Sequence, residues 1–501
     1  MKALKAFLYS LIVLSVLFST ALAAPIMQEP PEILYVKMGG IGECSSWEDA
    51  CDLQTAIGKL PDQIWVAAGT YIPTTTSNRT ISFELESGLK IFGGFPPDGG
   101  DWEDRDWELH PTILSGDLNG DDGEDFTNYD ENSYHVLTAT DVNPLAKLDG
   151  FIITGGNADG AISESTSNGA GMYSLRSSPR LNNLVFTGNS SINGCGGLYN
   201  DQSSPMLINV TFSANRSIYQ SPGGMANVNQ SNPKLIDVEF INNEGSGMLN
   251  DNSIPTLTNV SFYGNWSEGS CGGMFNKNNS RPKLTDVLFL GNFADINGGG
   301  MCNFGSSPDL NNVSFIENTA QNRGGGIYNN SNTTDPTLTN VTFSGNSAEN
   351  GGGMYNDFSA STLINVTFFG NTATAAGGGI YNWSPEANPT DSINTILWGN
   401  TTDQIFVSGS TSPVVSYSVI QDGYPGGKDI ITDDPLLGPL ADNGGFTMTH
   451  ALRFGSAAID TGICVTGVTT DQRGVVRPIG SGCDIGAVEY QPMIFLPLMI
   501  R

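Results

Sequence analysis

Apolar positions repeat along the middle of the chain in the pattern Leu-x-x-Val-x-Phe-x-x-Asn, which is followed by a glycine run and Tyr-Asn. Residues 338–356 carry the clearest copy. The apolar anchor of the repeat recurs at intervals of 22 to 29 residues, at Phe186, Phe212, Phe240, Phe262, Phe289, Phe315, Phe343, Phe368 and Leu397. A repeat of this length predicts a solenoid, in which each copy forms one rung that packs on its neighbours.

Two kinds of solenoid share this period. The first half of the motif also fits the leucine-rich repeat, which continues with a helical half. Here the second half is glycine-rich, and each glycine lowers helix propensity by about 1 kcal/mol. The alternating apolar residues of the first half and the Met-Tyr pair of the second instead predict short strands. We therefore predict an all-β parallel β-helix over residues 151–432, with rungs about 4.8 Å apart.

Asparagine recurs at three fixed positions of the repeat. One column forms a predicted structural ladder: Asn200, Asn250, Asn276, Asn303, Asn329, Asn356 and Asn382, together with Asn227. A second column holds Asn183, Asn209, Asn259, Asn312, Asn340, Asn365 and Asn394, with Asp237 and Asp286 as replacements. The third is the Asn of Phe-x-x-Asn. Asparagine tolerates the left-handed backbone of a sharp corner, and stacked amides bond from rung to rung. We expect the columns to hold the corners rather than to form a binding surface.

The paired motifs Gly-Gly-x-Tyr-Asn and Phe-x-x-Asn resemble the repeat of the chlamydial polymorphic outer-membrane proteins. The resemblance extends over about half of the chain. It implies a right-handed parallel β-helix of the pectate-lyase-like superfamily. It implies no particular activity, because one fold supports many functions.

The residues before the repeats contain an export signal and a predicted cap. Residues 1–23 are predicted to be a secretory signal peptide, with a charged start, an apolar run and a small-x-small cleavage site. Residues 24–32 form a linker, and residues 33–150 an N-terminal cap with irregular first rungs. An amphipathic helix is predicted over 45–60, where it would cover the open end of the solenoid. Strands are predicted over 63–68, 81–86, 88–93 and 134–139.

After residue 432 the repeat ends and other motifs begin. Ala-Ile-Asp-Thr-Gly at 458–462, Asp-Gln-Arg-Gly at 471–474 and Cys-Asp-Ile-Gly-Ala-Val-Glu at 483–489 closely resemble the choice-of-anchor Q domain. That domain ends many bacterial β-helix surface proteins. The resemblance implies a C-terminal β-rich cap over 433–490, near a surface-attachment signal and without activity.

Two further features of the C-terminal region carry predictions. Asp471, Arg473, Arg477 and Asp484 are expected to form an ion-pair network that closes the end of the solenoid. Residues 491–501 are an apolar tail. A sorting element and a last strand packed on the cap are both open interpretations of this tail.

The net charge of the chain limits the classes of molecule that it can bind. Asp and Glu number 51 against 21 Lys and Arg, for a formal net charge of -30. Such a charge repels nucleic acids and anionic lipids. No segment after the signal peptide is long enough for a transmembrane helix. We predict an extracellular or cell-surface location, with an envelope or extracellular surface and its glycans as candidate partners.

The densest acidic segment predicts a metal site. Asp117, Asn119, Asp121, Glu124 and Asp125 offer alternating oxygen atoms that suit calcium. The EF-hand pattern fails, because its glycine and final glutamate are replaced by Asp122 and Asn128. We predict a looser calcium site here, with a solvated acidic loop as the alternative. We expect no other cofactor.

Cysteine spacing predicts disulfides outside the repeats. In an exported protein, Cys44 with Cys51 and Cys464 with Cys483 are candidate pairs. We expect Cys195, Cys271 and Cys302 to be buried thiols. The first two hold the same repeat position about three rungs apart, roughly 14 Å, which exceeds the disulfide reach of about 7 Å.

The repeats contain no evident catalytic constellation. All histidines, His110, His135 and His450, lie outside the repeats, and no acid–base pair of carboxylates stands out. We predict a non-catalytic surface protein with an adhesive or structural role. The alternative is a carbohydrate-active enzyme or a polysaccharide-binding module. Outward alignment of several aromatic residues would favour the alternative, because such rings stack on sugars. The candidates are Tyr263, Trp266, Phe293, Phe369, Trp383 and Trp398.

Overall fold

The computed structural model describes residues 31–492, apart from residues 163, 220 and 385–389. The predicted signal peptide, most of the linker and residues 493–501 of the tail lie outside the described residues. The rest is an all-β parallel solenoid of about 14 turns, with 3% of residues in helices. The prediction of a parallel β-helix is confirmed. Among the described residues, no helix is long and apolar enough to cross a membrane.

One side of each rung contributes to a large parallel sheet, called the long sheet here. Its strands are Ile33–Val36, Gln63–Ala67, Gly69–Tyr71, Lys90–Phe95, Thr112–Ser115, Lys147–Thr154, Arg180–Thr187, Met206–Ser213, Lys234–Ile241, Thr256–Tyr263, Lys283–Leu290, Asp309–Ile316, Thr337–Ser344, Thr362–Phe369, Asp391–Ile393, Ile396–Trp398, Val414–Ile420 and Lys428–Ile431. Repeats pair in register, so that equivalent residues of successive copies become neighbours.

A second side forms the short sheet. Its strands are Phe83–Glu84, Leu137–Thr140, Met172–Leu175, Leu198–Asp201, Met225–Val228, Met248–Asp251, Met274–Lys277, Met301–Phe304, Ile327–Asn330, Met354–Asp357, Ile380–Ser384 and Ile405–Gly409. The third side has shorter strands: Asn157–Ala158, Ser190–Ser191, Arg216–Ser217, Trp266–Ser267, Phe293–Ala294, Thr319–Ala320, Ser347–Asn350 and Thr372–Ala376. Single 3-10 turns lie at Trp102–Asp104, Glu124–Phe126 and Ser165–Ser167.

The interior of the solenoid is built from the repeated apolar positions. In Thr256–Tyr263, Leu257, Val260 and Phe262 are fully buried. The left-handed Asn259, with φ of 55°, turns the strand at a corner. This corner explains why the first two buried residues are three positions apart rather than two. The buried phenylalanine rings stack along the axis, with centroids 4.4 to 5.0 Å apart from Phe186 to Phe368.

The three asparagine columns differ in backbone conformation. Left-handed backbone is confined to the second column, at Asn183, Asn209, Asp237, Asn259, Asp286, Asn312, Asn340, Asn365 and Asn394. The predicted structural ladder instead lies within the short strands and points inward. Its Nδ2 atoms donate to the next Oδ1 over 2.8–2.9 Å, from Asn200 through Asn382. In the third column, Asn292 donates its Nδ2 to Phe262 O and to Asn318 Oδ1, each over 2.9 Å.

The N-terminal helix is shorter than predicted and begins later. It spans Leu53–Gly58, and Asp52 caps it by accepting the N–H of Thr55 over 2.9 Å. The preceding residues cannot be helical, because they return to the first strand. Tyr35 donates its N–H to Cys44 O and accepts the N–H of Cys51. The helix still buries its apolar face in the core.

The other predicted elements of this region are present with shifted bounds. The strands predicted over 63–68, 81–86, 88–93 and 134–139 are observed at Gln63–Ala67, Phe83–Glu84, Lys90–Phe95 and Leu137–Thr140. The largest changes are the shortening of the second to two residues and the later start of the fourth.

The C-terminal region, residues 433–492, is called the C-terminal segment here. It begins with an antiparallel hairpin, Leu437–Ala441 and Thr449–Leu452, and continues in turns. It covers the solenoid from the side, against the outer face of the long sheet. At the end of the solenoid, Tyr424 and Ile430 pack against the core. We expected the ion-pair network to close the end of the solenoid. It lies instead in the C-terminal segment, on the side of the solenoid.

The cysteines differ from the sequence prediction in one pair. Cys44–Cys51 and Cys464–Cys483 form disulfides. Cys271 and Cys302, expected to be thiols, are also joined, with their Cα atoms 5.3 Å apart. Cys271 shares its repeat position with Cys195, and this was the only distance that the sequence prediction considered. Cys302 lies on the adjacent rung, within reach of Cys271. Cys195 is a buried thiol, and burial raises its pKa to about 12.

Candidate binding surface

The C-terminal segment divides the outer face of the long sheet in two. It contacts the strands from Asp309–Ile316 to Ile396–Trp398, which are called the covered half. The strands from Arg180–Thr187 to Lys283–Leu290 are called the open half. The repeat is continuous across the boundary, since Leu290 pairs with Ile316 in register.

Hydrogen bonds attach the C-terminal segment to the covered half. Gln472 is central: its Nε2 donates to Ser314 Oγ and its Oε1 accepts from Thr342 Oγ1, each over 2.7 Å. The N–H of Ala487 donates to Thr367 Oγ1 over 3.1 Å. These hydroxyl residues occupy one repeat position, so they form a row to which the C-terminal segment is hydrogen-bonded.

Corner asparagines of the covered half also hold the segment. Asn340 Nδ2 donates to Thr470 O over 3.0 Å. Asn394 donates to Ile463 O over 2.7 Å and accepts the N–H of Ile463 over 2.9 Å. The sequence-based interpretation of this column as purely structural was therefore incomplete, because on these rungs its amides also bind another part of the chain.

Exposure changes sharply at the boundary. At the hydroxyl position of the repeat, the covered residues Ser314, Thr342, Thr367 and Ile396 are at most 3% exposed. The equivalent residues of the open half are half-buried or exposed: Val185, Thr211, Glu239, Ser261 and Leu288. Apart from a contact with Phe446, the open half thus presents an ordered sheet face that is accessible on these rungs.

A small cleft lies within the open half. Phe446, at the tip of the C-terminal hairpin, reaches across rungs of the open half and is 42% exposed. Together with the sheet it encloses about 180 Å³. The other walls are Asn209, Thr211, Asp237, Glu239, Asn259 and Ser261. Two of these are carboxylates, so the cleft is polar and acidic on the sheet side.

The corner between the short and long sheets has a different chemistry. Along the open half, Gln202, Asn229, Gln230 and Asn252 line a cleft of about 530 Å³, called the amide cleft here. Exposed basic residues also occur on the strands of the open half: Arg180, Lys234, Lys283 and, just before the last of these strands, Arg281. None of these four forms an ion pair within the part of the chain that the structure describes. The cleft has an acidic neighbour, because Asn229 Nδ2 donates to Asp201 Oδ1 over 2.8 Å.

The six aromatic residues proposed as a test do not align on one face. Tyr263 is exposed on the open half, whereas Phe369 packs on His450 with ring centroids 4.6 Å apart. Trp398 packs against the apolar cluster of the C-terminal segment. Trp266 and Phe293 are paired on the third side, and Trp383 lies on the short sheet. A continuous platform for sugar stacking is therefore not formed by these six.

The tyrosines that follow the glycine runs lie on the outer face of the short sheet. Tyr355 and Tyr381 stack with centroids 4.5 Å apart, and the Arg323 guanidinium lies 5.2 Å from the Tyr355 ring centre. Asp357 accepts hydrogen bonds from Tyr328 Oη and Asn330 Nδ2. Tyr328 and Tyr355 are about 5% exposed, so this cluster is structural rather than an open sugar platform.

Two histidines occupy buried structural positions. His450 Nε2 lies 3.0 Å from Ser344 Oγ, and its Nδ1 lies 2.9 Å from Gly438 O. Burial lowers the pKa of His450. His135 is also buried, which lowers its pKa to about 4. The Ser344–His450 pair has a backbone carbonyl in place of an orienting carboxylate and lies beneath the C-terminal segment, so it joins the two parts of the protein.

The acidic loop gathers some of the predicted calcium ligands. Carboxylate oxygens of Asp117, Asp121 and Glu131 lie within 4.8 Å of one another. Glu131 was not predicted, because it lies outside the spacing of a single-loop motif. Glu124 and Asp125 do not belong to this group, and both lie in an exposed 3-10 turn.

Burial is the main influence on the pKa values of the carboxylates in the acidic loop. Asp117 Oδ1 accepts the N–H groups of Asn119 and Gly120, which shapes the loop. Burial raises the pKa of Asp122 to about 7, and the neighbouring carboxylates add to this shift. Burial also raises the pKa of Glu131.

The predicted ion-pair network of the C-terminal segment is buried. Arg473 pairs with Asp471 over 2.6 Å, and Arg477 pairs with Glu489 over 2.7 Å. Glu489 was missed in the sequence because it belongs to an apolar run. Asp484 accepts the N–H of Asp460 over 2.7 Å, and burial raises its pKa to about 6. The network fixes the turns of the segment against the long sheet.

Comparisons with known proteins support the repeat. The family model of the Chlamydia polymorphic membrane protein repeat matches residues 312–330 and 365–382. Each match runs from a corner asparagine of a long strand into the following short strand. No curated protein matches the sequence. The crystal structure of pectate lyase Pel9A is similar over 92% of this chain and 96% of its own, at 12% sequence identity and a TM-score of 0.41.

The repeat match confirms the resemblance found in the sequence on two rungs of the solenoid. Both matched segments lie on the covered half. The chain is a parallel β-helix protein in which two rungs match the Chlamydia polymorphic membrane protein repeat.

Proposed function

We propose that this protein is an exported, non-catalytic β-helix that adheres to an extracellular or cell-envelope surface through the open half of the long sheet. The observation that carries the proposal is the contrast between the two halves. On the covered half, the sheet face already binds a polypeptide through its hydroxyl and amide rows. The open half has the same backbone geometry and remains accessible.

The residues on the open half suit adhesion better than catalysis. Tyr263 is 49% exposed and stands in register with Ile241 and Leu290. Glu239 and Asp237 lie nearby on the same face. A mixed apolar and polar face with an aromatic residue is typical of protein-binding surfaces.

Binding of the mature chain to isolated envelope fractions tests this proposal. The double variant Glu239→Ala/Tyr263→Ala should bind at least ten-fold more weakly than the parent. A matched control is Tyr219→Ala/Glu268→Ala, which removes the same residue types from the third side, where Tyr219 is 57% exposed. Equal losses for both variants, or for neither, would refute a role of the open half.

A second candidate function is polysaccharide binding at the amide cleft. Amide side chains offer donors and acceptors for the hydroxyl groups of sugars. Affinity electrophoresis with neutral and acidic polysaccharides would detect such binding, and Gln230→Ala, which changes a residue of the cleft, should weaken it. Release of reducing ends by residues 24–501 would instead establish the enzymatic alternative.

A further inference from the structure

The C-terminal segment contains an apolar cavity of about 940 Å³. Its walls include Pro439, Ala451, Leu452, Phe454 and Tyr490. Phe454 is 86% exposed, which is unusual for a phenylalanine in a segment with its own buried core. Cavities of about 300–1,000 Å³ accommodate drug-sized ligands, so this one has room for several apolar side chains.

Three polar side chains in the cavity walls are already paired within the protein, whereas Arg453 of the wall is exposed. Arg473 binds Asp471 over 2.6 Å, and the Glu489 side chain binds Arg477 over 2.7 Å. Asn443 Nδ2 donates to Thr449 O over 2.8 Å. Because these groups have partners, the surface left for an occupant is mainly apolar.

The chain itself leads an apolar segment to this cavity. Gln491 and Pro492, the last described residues, lie in its wall. The nine residues that follow, Met-Ile-Phe-Leu-Pro-Leu-Met-Ile-Arg, include eight apolar ones. An extended chain of this length reaches about 30 Å, so these residues can return to the cavity. A tether this short adds little loop-closure entropy.

We propose that the cavity is the docking site of the chain's own C-terminal tail, residues 493–501. Its apolar side chains would cover Phe454 and Tyr490. The attraction is the removal of apolar surface from water on both partners. The inference is independent of the proposed adhesive function, because the cavity does not include any residue of the open half.

Cysteine cross-linking in the full mature chain tests this docking. Phe454→Cys with Leu496→Cys should form an intramolecular disulfide under mild oxidation, detected by peptide mass spectrometry. The control pair is Val414→Cys with Leu496→Cys, because Val414 is 57% exposed on the solenoid and away from the cavity. The cavity pair should react at least ten-fold faster. Equal rates would overturn the proposal, and a disulfide-linked dimer would replace it with docking between two copies.

Removal of the tail provides a second, independent measurement. Deletion of residues 493–501 should increase the binding of an apolar fluorescent dye several-fold, and the synthetic nine-residue peptide should reverse the increase. The same deletion combined with Phe454→Ser should show a smaller increase. Dye binding that is unchanged by deletion would contradict docking, whether or not the tail also serves in surface retention.

Discussion

At one position of the repeat, Glu239 is exposed on the open half, and Thr342 is fully buried on the covered half. The interior beneath them does not differ in the same way. Phe240 stacks on rings 5.0 and 4.7 Å away, and Phe343 on rings 4.9 and 4.4 Å away. The repeat therefore fixes the interior of every rung and leaves the outward positions free to match a partner.

The C-terminal segment explains what that freedom is used for. Where it binds, the outward position holds small hydroxyl residues that pair with Gln472. Where it is absent, the same position varies between apolar, hydroxyl and acidic side chains. The covered row consists of hydroxyl residues except for Ile396, and its third hydroxyl, Thr367, accepts from Ala487 N–H rather than from Gln472.

The largest expected effect tests whether the two interiors are equivalent. Phe240→Ala and Phe343→Ala should each lower the free energy of unfolding by about 3–5 kcal/mol, because each removes a fully buried ring and leaves a cavity. Chemical denaturation of the two variants measures this. A difference above about 2 kcal/mol between the two variants would show that the two halves have different cores, which would contradict an equivalent interior.

A similar effect is expected at a buried ion pair of the C-terminal segment. Glu489→Ala removes the partner of Arg477, whose side chain is 1% exposed, and leaves a buried charge. Such a loss costs about 3–5 kcal/mol. The matched variant Glu239→Ala on the open half should change stability by less than about 0.5 kcal/mol. If denaturation curves show comparable losses of stability for the two variants, Glu239 on the open half must also make a stabilising contact.

A moderate effect is expected in the hydroxyl row. Thr342→Val removes the hydrogen bond to Gln472 and leaves a buried acceptor, at a cost of about 1–3 kcal/mol. Thr211→Val makes the same chemical change at the equivalent position of the open half, and stability should hardly change. Thermal unfolding of both variants distinguishes them. Equal shifts would contradict a specific role of this row in holding the segment.

A smaller, pH-dependent effect is expected in the acidic loop, whose carboxylates lack the arginine partners found in the C-terminal segment. The pKa of Asp122 is raised to about 7 in the folded state, so its protonated form is favoured by folding. Its contribution to stability is full below the unfolded value of about 4 and is lost as the pH rises through 7. The Asp122→Asn variant should therefore have the same melting temperature as the parent near pH 4 and a higher melting temperature than the parent at pH 8. Asp125→Asn, in the exposed turn, is the control.

The smallest expected effect concerns calcium, which stays a prediction. Added Ca²⁺ should raise the melting temperature of chelated protein if Asp117, Asp121 and Glu131 bind it, because a ligand of the folded state stabilises it. Asp121→Asn should reduce the shift, whereas Asp125→Asn should not, since Asp125 lies outside this group. An unchanged melting temperature in the parent would leave the loop as a solvated acidic surface.

Several elements were predictable because they depend on local spacing. The phenylalanine and asparagine columns recur at a fixed repeat position, so stacking the rungs places them in line whatever the surroundings. The helix at the N-terminus was less accessible. Its apolar stripe was visible, but its start depends on the return of Cys44 and Cys51 to the first strand, which no helical pattern reveals. Likewise, Glu131 joins Asp117 and Asp121 only through the fold.

The sequence by itself determined that the chain is a parallel β-helix and which residues face its interior, because period and alternation are local properties repeated many times. Only the tertiary structure decided which outward rows are used. The C-terminal segment could have covered the end of the solenoid or any of its sides. Its place on half of the long sheet follows from hydrogen bonds between residues up to 159 positions apart, such as Gln472 Nε2 to Val313 O. Contacts at that separation leave no periodic trace in the chain, and they decide which part of the surface remains open to a partner.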